Sequence, residues 1–72
     1  MNAEVVAYTL KNYGITFLKM NLNVREQDPA EFERGIKLYQ QDSTVEDQWK
    51  KRYVPMMEAL LQEIKSVSKA AA

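Results

Sequence analysis

The stretch Val45–Val67, VEDQWKKRYVPMMEALLQEIKSV, decides how this chain folds. It holds the only tryptophan, two of the four methionines and the densest apolar stripe in the sequence. An α-helix turns about 100° per residue. With Trp49 as the zero of the wheel, Tyr53, Met56, Leu60, Ile64 and Val67 fall within about 60° of it, and Met57 and Leu61 widen the stripe on one side. Lys51, Glu58 and Lys65 take the opposite side, with Arg52 and Glu63 at the stripe's other margin. The pattern is that of an amphipathic helix with a face to bury.

Pro55 lies inside that helix. Proline removes one backbone hydrogen bond and crowds the preceding turn, which frees the carbonyl of Lys51. The competing reading is a pair of helices meeting at Val54-Pro55, because the residue before proline is pushed away from helical angles. The apolar stripe keeps its phase across Pro55, so the sequence favours one continuous helix, kinked at Pro55, over residues 44–68. Pro55 falls on the polar side, where water can reach the freed carbonyl.

Upstream, Asp28-Pro29-Ala30-Glu31 is a helix start. It offers an acceptor at the N-cap, proline at the first helical position and glutamate at the third. Phe32, Ile36 and Tyr39 form a narrow apolar stripe behind it, with Gly35 permitting close approach of a neighbour, and this helix is expected over 29–41. Ser43 with Glu46 three residues later has the form of a capping box. The short connection at Asp42-Ser43-Thr44 implies that the second helix packs against the start of the third.

Residues 3–23 admit two readings. As one helix, Val6, Leu10, Tyr13, Phe17, Met20 and Val24 are spaced as a heptad seam, while Tyr8, Ile15, Leu18 and Leu22 form a second stripe. Gly14 would cost such a helix about 1 kcal/mol relative to alanine. Alternatively Gly14 ends a short helix, and Leu18, Met20, Leu22 and Val24 alternate with polar residues as a strand. No second stretch of the chain alternates, so a strand at 15–24 would need a partner chain to satisfy its backbone. The expected fold is therefore all-α: a small three-helix bundle, prone to dimerise. An α+β arrangement with an intermolecular strand at 15–24 is the alternative.

Composition narrows the function. Seventy-two residues form a single small domain, 1–72, near the size at which one core is only just sufficient. There is no cysteine, hence no disulfide or thiolate metal site, and no histidine, the commonest metal ligand and general base. Self-association is a remaining source of stability, so a homo-oligomer is expected. Ten basic and ten acidic residues cancel. Residues 1–24, 25–43 and 44–72 carry net charges of +1, −2 and +1, well short of the excess typical of nucleic-acid or anionic-membrane binders. The opening residues lack a signal-peptide pattern and no apolar run is long enough to span a bilayer. A cytoplasmic location without membrane contact is the expectation.

Candidate chemistry is sparse. The carboxylate pairs Glu31/Glu33 and Glu46/Asp47 lack the Glu-x-x-His pattern of helical metal sites, and capping helices is their expected use. Ser43, Thr44, Ser66 and Ser68 have no histidine to activate them. Gly14 and Gly35 are too far apart to make a phosphate loop. No enzymatic activity, cofactor or metal is expected.

Two constellations remain. Lys50, Lys51 and Arg52, flanked by Trp49 and Tyr53, could contact phosphates and stack on a base. Consecutive helical residues fan out over about 200°, however, and the pairs Glu46–Lys50 and Asp47–Lys51 have the spacing of helix ion pairs. The second constellation is the set of polar-tipped rings and soft apolar side chains: Tyr8, Tyr39, Trp49, Tyr53, Met56 and Met57, with Arg52. Such residues are enriched where proteins meet. The expectation is a small regulatory protein that works through protein–protein contact and binds another protein through those residues. A dimeric helical nucleic-acid binder using Lys50, Lys51 and Arg52 is the alternative.

Overall fold

The computed structural model of the protein describes residues 1–71, with side chains through Ser68. Four α-helices follow one another: α1 (Ala3–Tyr13), α2 (Ile15–Asn21), α3 (Pro29–Gln41) and α4 (Asp47–Ala71), with a short 3-10 turn at Val24–Glu26 between α2 and α3. The fold is all-helical, and no strand occurs among the described residues. α1 packs on α3, α3 on α4, α2 on α1, and the 3-10 turn on α4. The molecule measures 38 × 18 × 17 Å. A helix of α4's length spans about 37 Å, so α4 sets the long axis.

The expected first helix is two helices, and Gly14 is the reason. Its φ of 91° and ψ of 172° lie in a region open essentially to glycine. Its amide donates to the carbonyls of Thr9 and Leu10, closing α1, and its carbonyl accepts from Leu18, opening α2. The helical reading of 15–24 holds through Asn21, and the strand alternative fails. Leu18 is buried, Met20 is 80% exposed, and Leu22 and Val24 are partly covered. The backbone of α2 satisfies itself locally and needs no second chain. The break also splits the heptad seam: Val6 and Leu10 are buried, whereas Tyr13, Phe17 and Met20 face outward.

α3 begins where its caps dictate. Asp28 accepts from the amide of Ala30 at 3.0 Å, and Pro29 is the first helical residue. Glu31 serves a different helix: its carboxylate accepts from the amide of Ala3 at 2.9 Å and so caps α1. Arg34 bridges Glu31 and Glu4 at 3.2 and 2.9 Å. Gly35 is where α1 and α3 touch. A Cβ built there would lie 2.8 Å from Cβ of Val6 and 2.9 Å from the carbonyl oxygen of Ala3.

The capping box at Ser43 does not form. Asp42 organises the turn instead, accepting from the Thr44 amide at 2.9 Å and the Thr44 hydroxyl at 2.6 Å, while its own carbonyl accepts from Val45. α4 then starts at Asp47, with the Glu46 carbonyl accepting from Trp49 and Lys50. It runs through Pro55 without interruption. Pro55 is exposed, so water reaches the freed Lys51 carbonyl.

The core consists of Val6, Leu10, Ile15, Leu18, Phe32, Ile36, Tyr39, Val45, Met57, Leu60, Leu61 and Ile64. The apolar stripe of α4 is thus rotated from the expected one. Met57 and Leu61, expected at its margin, are fully buried, while Trp49 and Met56, expected at its centre, are each 41% exposed.

Candidate functional site

Two surface regions hold the exposed aromatic side chains, and each contains some of the residues that the sequence marks for contact. The first runs along α1 and α2. Tyr8 and Tyr13 lie with ring centroids 6.2 Å apart, and Tyr13 stacks on Phe17 at 4.8 Å with planes 27° apart. Met20 follows one turn beyond Phe17. All four are exposed: Tyr8 and Tyr13 on the outer side of α1, and Phe17 and Met20 on α2, beyond the Gly14 break. They form a continuous ladder of large apolar side chains outside a completed core.

The second is an open depression of about 390 Å³ where the end of α1, the end of α3 and the start of α4 converge. Leu10, Tyr39 and Val45 lie at its base, and Trp49 and Tyr53 line it from α4. The last two stack at 6.2 Å, with planes 19° apart, as residues one helical turn apart can. Burial, then the nearby Tyr53 and Asp42, raises the Tyr39 hydroxyl above the usual phenol range.

Lys11 and Thr44 line this depression as its polar edge, and both are bonded to Asp42. The Lys11 ammonium lies 3.1 Å from the Asp42 carboxylate and donates to the Thr44 hydroxyl. Asp42 is held at a pKa of about 2, chiefly by hydrogen bonds from the Thr44 hydroxyl and amide and then from Lys11. The ion pair joins α1 to the turn before α4, a link between residues distant in sequence.

The expected contact residues therefore divide. Tyr8, Trp49, Tyr53, Arg52 and Met56 are at least partly accessible. Met57 is fully buried and Tyr39 nearly so, so their apolar surface is already used by the core. Tyr13, Phe17 and Met20 complete the accessible set. Their signal in the sequence was a seam read as packing along its whole length, and Gly14 was the clue that it could not be.

The basic triplet divides as well. Lys50 and Lys51 border a shallow depression with Gln40, Val54 and Pro55, while the Arg52 guanidinium lies 5.5 Å from the centroid of the Tyr53 ring. Neither Glu46–Lys50 nor Asp47–Lys51 is an ion pair among the described residues. Glu46 instead accepts from the Gln48 amide at 2.9 Å. Glu33 and Asp47 are exposed. Among the described residues, no three acidic side chains gather as a metal site would require, and no helix is long and apolar enough to cross a membrane.

No protein-family model matches this chain, and no curated protein or solved structure compared with it does either.

Proposed function

We propose that this chain is a small, non-catalytic protein–protein interaction module. In this reading it self-associates and occupies a surface on another protein, as a regulator, inhibitor, adaptor or assembly factor, in the cytoplasm. The observation that carries the reading is the exposed ladder of Tyr8, Tyr13, Phe17 and Met20. A core already filled by other residues has no use for it, and clustered apolar surface of this kind marks sites of contact. Aromatic and methionine side chains are the types enriched there.

A tagged pull-down with and without nuclease tests the proposal. A stoichiometric protein partner that survives nuclease and is lost with Phe17→Ser supports it. Recovery of nucleic acid alone, abolished by nuclease, would overturn it. That outcome would favour the second reading, a dimeric nucleic-acid-binding protein using Lys50, Lys51 and Arg52. In its favour, Lys50 and Lys51 border one depression; against it, Arg52 turns to Tyr53.

A further inference from the structure

The depression between α1, α3 and α4 has an electrostatic character that the ladder lacks. Its base is apolar, from Leu10 and Val45, and it is lined by the rings of Trp49 and Tyr53. Lys11 borders it, but Asp42 at 3.1 Å matches that charge. This leaves Glu46, which also lines the depression; its carboxylate has one hydrogen bond, from the Gln48 side chain, and meets no cation within ion-pair distance among the described residues. Of the cations that follow on α4, Arg52 does not line the depression and is engaged with Tyr53, while Lys50 and Lys51 border a different one. Among the described residues, no cation lies over Trp49.

An aromatic face beside an unmatched carboxylate attracts a cation with an apolar stem. A guanidinium suits it better than an ammonium: it is planar, weakly hydrated, stacks on rings, and presents a fork of donors to a carboxylate. The volume falls at the low end of binding pockets, which fits one long side chain. Arg52 over Tyr53 shows the same chemistry already at work one turn away. We propose that this depression receives an arginine side chain of a partner protein, with its stem over Leu10 and Val45, its guanidinium against Trp49, and its charge on Glu46. The inference rests on the interaction reading above and adds the partner's chemistry to it.

Trp49 is the only tryptophan, so its fluorescence reports the site directly. The probe is N-acetylarginine amide, with N-acetylcitrulline amide as its uncharged counterpart of nearly the same shape. The arginine probe is expected to change Trp49 emission saturably, and citrulline several-fold more weakly. Glu46→Gln, whose backbone still caps α4, should weaken arginine binding several-fold with unchanged circular dichroism, while Arg52→Gln should not weaken it. No saturable response, an equal response to citrulline, or indifference to Glu46→Gln would overturn the proposal. If Glu46→Gln and Trp49→Ala still capture a protein partner at wild-type yield, the arginine proposal falls and the interaction reading stands. Failure to capture any partner removes both.

Discussion

The two halves of α4 carry similar side chains and put them to different uses. From Met57 to Ile64 the large apolar residues are buried: Met57 and Ile64 are fully covered, and Leu61 is 1% exposed. From Trp49 to Met56 the rings stack on one another and remain partly in solvent. The same contrast recurs at Gly14, with Val6 and Leu10 inside and Tyr13, Phe17 and Met20 outside. Side-chain size does not decide burial in this molecule. Burial is decided by whether another helix lies opposite, and three short helices cannot cover every apolar stripe of a 25-residue helix.

That contrast predicts that truncation costs most in the second half of α4. Leu61→Ala should destabilise by about 2–5 kcal/mol, read from urea unfolding. A loss under about 1 kcal/mol would mean that this half is not core. Gly35→Ala should cost about 1–3 kcal/mol by overpacking, since its new methyl group would meet Val6 and the Ala3 carbonyl. A neutral result would break the claim that α1 presses directly on α3. Trp49→Ala should cost only about 1 kcal/mol, the worth of an exposed stacked pair. A loss of about 3–5 kcal/mol would place Trp49 in the core after all.

The smallest effect is electrostatic and concerns the tie between α1 and the turn. Folding holds Asp42 at a pKa of about 2, against an ordinary value of 3.8. A carboxylate with a depressed folded pKa contributes stability that is present above the unfolded value and lost as pH falls through the folded one. The contribution of Asp42 should therefore decline between about pH 4 and pH 2. Glu31 is shifted the same way, first by the Ala3 amide and then by Arg34, so acid loosens α1 at both ends. Asp42→Asn should flatten part of the fall in urea midpoint over that window. An unchanged profile would show that the Asp42 carboxylate, with its bonds from Thr44 and Lys11, contributes nothing measurable.

What the sequence disclosed follows from how local each signal is. The start of α3 was legible because Asp28 and Pro29 act on their own first turn. The passage of α4 through Pro55 was legible because apolar phase is conserved along a helix. The orientation of that stripe was not. A helical wheel tells which residues share a face, but the neighbour that covers it lies elsewhere in the chain, and placing the zero at Trp49 rotated the stripe. The turn before α4 was missed for a similar reason. Ser43 has the spacing of a capping box, but Asp42 organises the turn, and the lysine that pairs with it lies far upstream. The ladder on α1 and α2 was hidden in a seam that reads as continuous until Gly14 is given its positive φ.

The exposed ladder is the feature on which the functional reading turns, and sedimentation equilibrium over a wide concentration range tests it most directly. The wild-type chain should rise from its monomer mass of 8.4 kDa toward a multiple of it. The double variant Tyr13→Ser, Phe17→Ser should stay monomeric with the unfolding midpoint of the dilute wild type. A wild-type chain that remains at 8.4 kDa at every concentration, or a double variant that associates equally well, would contradict the assignment of the ladder as a contact surface between copies.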